Sequence, residues 1–286
     1  HGIAVAFLFI LAGAVGVAPS EAVLPLLILM TCCVPASSLL ARWIEKKPHT
    51  FTVGGASFVG IVLAPLAVWV VFVPGRPDGA ILLSPILAAM AIAYGMGEGI
   101  GRLACISFGC CYGKPLAACG SLARYCFRHR GVVFQGSTRK IAYERGLEGQ
   151  AVVPVQAVTS LFYVTAALVG AFLFLRGLFG LSFLFVMVVT QGWRVFSETL
   201  RADERGGGIF SAYQWLALAA AAFAVALLLV LPASSSTPDI RLGLVAICRP
   251  LVLLTMACWM VAIFLYTGVS RVTGSHLSFF VFDDRI

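Results

Sequence analysis

Residues 80–101, AILLSPILAAMAIAYGMGEGIG, form an apolar run in which Glu98 is the one charged residue. A transmembrane helix needs about 20 consecutive, mostly apolar residues, and this run has that length. Similar runs recur along the chain and predict an all-α, polytopic membrane helix bundle with eight spans. The runs lie at about 2–19, 22–41, 52–73, 80–101, 155–175, 178–200, 212–231 and 250–269.

The composition of the 286 residues excludes an ordinary soluble protein. Hydrophobic residues make up 60% of the chain and charged residues only 11%, whereas a soluble domain carries about 25% charged residues. The net charge of +8 comes mostly from basic residues in the loops between apolar runs. Anionic membrane lipid is therefore the expected partner, and nucleic acid is not.

Two polar segments interrupt the apolar runs. Residues 114–150 carry an excess of Arg and Lys and predict a small extramembrane cap, with a solvated linker loop as the alternative. Residues 232–240, PASSSTPDI, set the last run apart. The sequence thus predicts a membrane domain over 1–231 and a C-terminal extension over 232–286 with one further transmembrane helix. Because the sequence begins with His1 inside an apolar run, we also expect residues upstream of it.

The sixth run carries a polar stripe. Gln191, Arg194, Glu198 and Arg201 are spaced by three, four and three residues, which places them on one face of a helix. Ionisable groups at membrane depth face the bundle interior or a polar cavity. With two cations and one anion, the stripe suits an anionic ligand such as a phosphate. The alternative is an interfacial stripe whose long side chains extend to the headgroups.

The fourth run ends in a second charged pair. Glu98 and Arg102 are four residues apart, in the favourable acid-first order. Glycines around the pair allow close approach of a lipid or of another helix. The alternative is a tightly packed helix crossing with an internal ion pair and no ligand. The glycines are Gly95, Gly97, Gly99 and Gly101.

Cysteines are concentrated directly after this run. The set lacks a CxxC pair, and its spacing does not fit structural zinc, so we predict no metal and no cofactor. A disulfide among Cys111, Cys119 and Cys126 is the more plausible outcome if this face of the membrane is oxidising. The complete set is Cys105, Cys110, Cys111, Cys119 and Cys126, with His129 nearby.

Residues 101–113, GRLACISFGCCYG, resemble the signature GRIGxFxxGxxYG of the prolipoprotein diacylglyceryl transferases. Three further matches occur in that family's order. Residues 54–60 resemble GGxSFHGG, residues 154–156 resemble part of HPxQLYE, and residues 193–203 with 211–214 resemble FRxxxExxRxPD and SxxQ. Together the matches cover about residues 1–231.

The resemblance implies a multi-pass enzyme of the bacterial inner membrane with a seven-helix core. Such enzymes move a diacylglyceryl group from phosphatidylglycerol to the cysteine thiol of a lipoprotein precursor that carries a lipobox, and they release glycerol phosphate. The resemblance implies that Arg102 and Arg194 hold the lipid phosphate. It also implies that Glu198 orients these arginines and that Gln156 binds headgroup or glycerol oxygens. Further substrate contacts are expected from Arg201, Glu98, Gly101 and Gly113.

Two arguments on membrane orientation oppose each other. The face that carries loop 41–51, the cap and loop 201–211 holds most of the basic loop residues. Counted over short loops, the positive-inside rule makes this face cytoplasmic. The family resemblance places the cap in the periplasm instead. We expect the periplasmic orientation, because a long cap is excluded from a count of short loops.

Several family positions differ in this chain. Val59 and Val153 replace histidines of two motifs, and Thr190 replaces the tyrosine before the second arginine. An acceptor thiol, with a pKa of about 8.5, benefits from a base, for which Glu198 or Glu98 can substitute. The alternatives are therefore an inactive phospholipid-binding protein, a transferase with a different acceptor, and a transporter of an anionic amphiphile.

Overall fold

The computed structural model describes residues 2–45, 52–74, 76–137, 139–202, 210–234 and 236–268. Helices dominate these residues, because a chain in lipid must satisfy its backbone hydrogen bonds within each segment. In chain order the helices are α1 (Gly2–Ala14), α2 (Pro19–Glu45), α3 (Val53–Phe72), α4 (Gly79–Phe108), α5 (Ser121–Phe127), α6 (Lys140–Arg145), α7 (Val155–Leu175), α8 (Phe179–Thr199), α9 (Ala212–Val230), α10 (Ile240–Ile247) and α11 (Pro250–Gly268).

Six of the described helices are long and apolar enough to cross a membrane, namely α2, α3, α4, α7, α8 and α9. This confirms the predicted all-α, polytopic membrane bundle. The predicted count of eight spans is too high for the described residues. The first run forms only the 13-residue α1. The last helix, α11, is bent by 68° from α10, so that this pair adds at most one span.

Local sequence explains both departures. α1 ends at Ala14, and Gly16 then adopts a left-handed conformation with a φ of 77°. α2 begins at Pro19, whose fixed φ suits the first turn of a helix. At the other end of the chain, α10 stops before Pro250, because proline disfavours the helical conformation of the residue that precedes it.

α4 is the central helix and packs against α1, α3, α7 and α8. Two of its glycines fit against α7. A Cβ atom added to Gly95 would lie 3.3 Å from the Cβ atom of Ala167, and one added to Gly99 would lie 3.0 Å from that of Tyr163. The close packing that this alternative predicted is therefore confirmed for these two glycines, whereas the absence of a ligand stays a prediction. Gly101, by contrast, has open space around it.

The polar segment after α4 folds into a small cap with a core of its own. Phe134, Ile141 and Val152 are buried together with Tyr112. The predicted cap is thus present, and the solvated-linker alternative is wrong for the described residues. Its elements are a 3-10 helix (Leu116–Ala118), α5, α6 and two short antiparallel strands, β1 (Val132–Val133) and β2 (Ala151–Val152).

The C-terminal extension contacts the first helix of the bundle. A Cβ atom added to Gly13 of α1 would lie 2.9 Å from the Cα atom of Gly243 in α10. The amide of Asp239 donates a hydrogen bond to the carbonyl of Ala14 at 2.8 Å. α10 therefore packs directly on α1. A domain division between residues 231 and 232 stays a prediction.

Candidate functional site

Two arginines from different helices meet at one carboxylate. Arg102 Nη2 forms an ion pair with Glu98 Oε1 one turn earlier on α4. Arg194 Nη2, on α8, lies 3.8 Å from the same oxygen. The Arg194, Arg102 and Glu98 side chains are only 7%, 10% and 11% exposed. The structure thus brings together, in one buried cluster that we call the arginine chamber, residues that helical periodicity assigned to two separate groups and that the family resemblance assigned to one phosphate.

The polar stripe of the sixth run faces the interior of the bundle. Gln191, Arg194 and Arg201 are buried. Glu198 Oε1 lies 3.9 Å from Arg201 Nη1, and both of these side chains are buried as well. The alternative of an interfacial stripe that extends to the headgroups is therefore wrong. That Glu198 orients Arg194 stays a prediction.

Tyr94 belongs to this site, although the sequence analysis did not single it out. Its hydroxyl oxygen accepts hydrogen bonds from Arg194 Nη1 at 3.3 Å and from Gln191 Nε2 at 3.2 Å. Tyr94, Glu98 and Arg102 are spaced by four residues, so they share one face of α4. That spacing is the signal in the sequence that identifies the tyrosine.

The first glycine of the segment GGASFVG leaves room for Arg194. A Cβ atom added to Gly54 would lie 3.4 Å from Arg194 Nη2 and 2.9 Å from Cδ1 of Tyr213 in α9. Gly54 lies in the first turn of α3. Helices α3, α4, α8 and α9 therefore all contribute to the walls of the chamber, and a side chain at position 54 would crowd the Tyr213 ring.

The chamber carries a surplus positive charge. The guanidinium groups of Arg102 and Arg194 share the carboxylate of Glu98. Nε of Arg102 is buried and has no hydrogen-bond partner within the described part of the chain. Buried polar groups normally have partners, and an uncompensated buried cation is costly. The site therefore suits an anionic ligand with several acceptor oxygens, such as a phosphate.

Two of the other predicted substrate contacts are engaged within the protein. Gln156 Nε2 donates to the carbonyl of Cys110 at 2.9 Å and so holds the loop that follows α4. Gly113 fits against Val153, whose Cβ atom would lie 2.8 Å from an added Cβ atom. Gly101 lies on an exposed part of α4. A contact between these residues and a substrate stays a prediction.

Thr190, at the position of the family tyrosine, is fully buried. Its Oγ1 donates to the carbonyl of Val186 in its own helix at 2.7 Å. Tyr163 donates to the carbonyl of Thr190 at 3.1 Å. A tyrosine hydroxyl nevertheless reaches Arg194, from Tyr94 on α4.

The predicted disulfide is wrong. All nine cysteines lie in the described residues, and all nine are free. Cys119 is buried in the cap, whereas Cys126 is exposed. Cys111 lies instead beside Cys105 and Cys110. The sequence analysis predicted that these three cysteines bind no metal.

A family model described as prolipoprotein diacylglyceryl transferase matches residues 22–230. The matched region is most of the chain and contains Glu98, Arg102 and Arg194. The match confirms the resemblance that the four motifs indicated. The chain matches none of the curated proteins and none of the solved structures that were compared with it.

Proposed function

The chain belongs to the prolipoprotein diacylglyceryl transferase family, and from this premise we propose that it transfers a diacylglyceryl group from phosphatidylglycerol to the cysteine thiol of a lipoprotein precursor. Glycerol phosphate is the second product. The six helices that can cross a membrane and the family match together make it a multi-pass membrane protein with a transferase-like role. We propose in addition the identity of the donor, the identity of the acceptor and the roles of single residues.

The observation that carries the proposal is the pair of guanidinium groups at Glu98. Arg102 and Arg194 approach one carboxylate oxygen from two helices. The phosphodiester of a lipid has the charge and the acceptor oxygens to take the place of that carboxylate, and guanidinium groups bind phosphate through paired hydrogen bonds. Burial strengthens such contacts, because little water screens them.

In the proposed reaction, the acceptor sulfur attacks the glyceryl carbon that carries the phosphate ester. A carbon–sulfur bond forms, the carbon–oxygen bond breaks, and its electron pair leaves with glycerol phosphate. Negative charge therefore develops beside Arg102 and Arg194. Preorganised cations that stabilise this charge more strongly than they stabilise the bound lipid accelerate the step.

The proton of the acceptor thiol needs a base, and Val59 stands where the family has a histidine. Glu98 is our first candidate. A phosphate that pairs with Arg102 and Arg194 displaces this carboxylate from both arginines and leaves it free to accept a proton. Glu198, which lies 3.9 Å from Arg201, is the second candidate. If Glu198 is not the base, its role is to position Arg201.

We place the protein in the bacterial inner membrane with its cap in the periplasm, where lipoprotein precursors present the lipobox cysteine. The cap joins the end of α8 through a hydrogen bond of 2.8 Å from the Lys114 amide to the Leu200 carbonyl. This contact supports a short route from the cap to Arg194. The positive-inside count, which favours the opposite orientation, includes Lys46, Lys47 and Arg205. These three residues lie outside the described residues.

Release of glycerol phosphate tests the proposal. Purified protein in nanodiscs that contain phosphatidylglycerol, mixed with a lipobox peptide, is expected to release glycerol phosphate and to add the mass of a diacylglyceryl group to the peptide. Arg194→Ala is expected to abolish both signals. Arg176→Ala, which removes an exposed arginine after the end of α7, is the control and leaves both unchanged. Complementation of a strain depleted of its own transferase repeats the test in cells.

One observation favours a second candidate function, an inactive phospholipid-binding protein. Val59 and Thr190 replace the family histidine and tyrosine, and the Thr190 hydroxyl is bonded to its own helix. In that case the chamber binds phosphatidylglycerol without breaking it. Bound lipid that is lost in Arg194→Ala, with no product from the unmodified protein, would establish this second function and exclude the first.

A further inference from the structure

Three cysteine sulfurs meet beside the arginine chamber. Cys105 lies in the last turn of α4, and Cys110 and Cys111 follow directly after the helix. Their Sγ atoms all lie within 4.8 Å of one another, and each residue is partly exposed. This is the only group of three or more potential metal ligands among the described residues. The proposed transfer reaction assigns no role to any of them.

The backbone after α4 creates this cluster. Gly109 ends the helix in the left-handed conformation with a φ of 62°, and the Cys110 amide donates back to the Cys105 carbonyl at 3.2 Å. A glycine in the left-handed conformation, followed by a hydrogen bond back to the last turn, is a common way for a helix to end. Cys111 also has a positive φ, 56°, which is uncommon for a residue other than glycine. Gln156 fixes the loop through the Cys110 carbonyl.

We propose that Cys105, Cys110 and Cys111 bind one thiophilic metal ion, Cu(I), in trigonal coordination by three sulfurs. Soft thiolate ligands favour Cu(I), zinc and iron–sulfur clusters over harder metal ions, and iron–sulfur clusters are held by four cysteines. A structural zinc site normally has four protein ligands. No fourth Cys, His, Asp or Glu joins the group in the described part of the chain, so the donor set fits a three-coordinate ion better.

The charges around the cluster favour the thiolate form that a metal requires. Arg102 Nη1 donates to Cys111 Sγ at 3.4 Å. Three thiolates with one Cu(I) form a net negative complex, which the adjacent guanidinium group of Arg102 stabilises. Binding releases the protons of those sulfurs that are still thiols.

Titration of the full-length protein with Cu(I) tests this site. The protein is purified in detergent, reduced, and titrated without oxygen against a chromophoric Cu(I) chelator of known affinity. One Cu(I) ion per chain is expected, with X-ray absorption at the copper edge showing sulfur ligands only. Cys105→Ser, Cys110→Ser and Cys111→Ser are each expected to weaken binding by at least about 100-fold. Cys126→Ser, which removes an exposed cysteine of the cap, is the control and keeps full affinity.

Three results would overturn the proposal. One is an affinity for Cu(I) that does not change when all three cysteines are replaced. Another is a site that takes Zn(II) in preference to Cu(I). The third is a disulfide between two of the three sulfurs, seen as two missing thiols in the purified protein, together with no Cu(I) binding after reduction. Size-exclusion elution and thermal unfolding of every variant distinguish loss of the site from loss of the fold.

Discussion

Arg194 of α8 lies 3.8 Å from Glu98 of α4, measured from Nη2 to Oε1, so one carboxylate connects the two helices that carry the candidate phosphate-binding arginines. Arg102 pairs with the same oxygen from the next turn of α4. In the absence of lipid, Glu98 is therefore the carboxylate that offsets part of the charge of both guanidinium groups. This arrangement leads to the first prediction.

Glu98→Gln is expected to destabilise the protein, because it leaves two buried guanidinium groups without their anion. Breaking a buried ion pair in this way lowers the free energy of unfolding by about 3–5 kcal/mol. Added phosphatidylglycerol is expected to restore part of the loss, since a phosphate that binds only the folded protein stabilises it. Unfolding in detergent, with and without the lipid, measures both effects.

Glu21→Gln is the matched control. Glu21 pairs with Arg76 at 3.0 Å, but about a third of each side chain is exposed. An exposed ion pair contributes about 0–1 kcal/mol. Equal destabilisation by the two substitutions, or no rescue of Glu98→Gln by lipid, would contradict the assigned role of Glu98.

Tyr94→Phe is expected to lower the transferase activity while the fold is kept. The phenyl ring retains the edge-on contact with Tyr163, whose ring centroid is 6.1 Å away, but the hydroxyl that accepts from Arg194 is lost. A hydrogen bond to a charged group contributes about 1.5–3 kcal/mol, which corresponds to a rate decrease of roughly 10- to 150-fold. Glycerol phosphate release measures the rate. Tyr125→Phe, at an 80% exposed tyrosine of the cap, is the control, and an equal effect there would remove the specific role of Tyr94.

Gly54→Ala is expected to reduce lipid binding, because the new methyl group would lie 2.9 Å from Tyr213 Cδ1 and 3.4 Å from Arg194 Nη2. The Tyr213 ring must then shift, and it packs beside Arg194 at this position. Gly192→Ala on α8 meets no atom within 4 Å and serves as the control. It is expected to be neutral or slightly stabilising, since alanine is the better helix former. Normal binding of phosphatidylglycerol by Gly54→Ala would show that the space at this position is not needed.

The orientation of the cap predicts the outcome of reporter fusions. Alkaline phosphatase, which is active only outside the cytoplasm, is expected to be active when fused after Gly149 at the exposed end of the cap. Fused after Gly177, in the turn between α7 and α8, it is expected to be inactive. The reverse pattern would support the positive-inside count and would move the proposed reaction to the cytoplasmic face.

The sequence was sufficient to predict the membrane bundle, because six of its eight apolar runs form helices long enough to span a bilayer. Helical spacing likewise predicted that Gln191, Arg194, Glu198 and Arg201 share one face, and all four are buried. The predictions failed where a few residues change the direction of the chain. Gly16 shortens the first run, and Pro250 separates the last run from α10, a short helix that the hydropathy pattern did not predict. Hydropathy averaged over a window does not register such single residues.

Helical periodicity did not predict the contacts between helices, and only the family resemblance implied that Arg102 and Arg194 lie together. Periodicity places Arg194 and Glu98 on faces of α8 and α4, but it does not state which faces meet. The cysteine cluster was missed for a related reason. Its sulfurs come together through the positive φ angles of Gly109 and Cys111, and a cysteine with a positive φ is not anticipated from residue preferences.

The contact between Gly13 and Gly243 limits how far the protein can be shortened. Because an added Cβ atom at Gly13 would lie 2.9 Å from the Gly243 Cα atom, the backbones of α1 and α10 run almost in contact, without side chains between them. A chain cut after residue 231 would present this narrow glycine surface of α1 to lipid acyl chains, which cannot fill it as closely. The smallest well-folded unit is therefore expected to extend beyond the family-matched region and to include α10, as comparison of truncations ending at residues 231 and 248 by detergent unfolding will show.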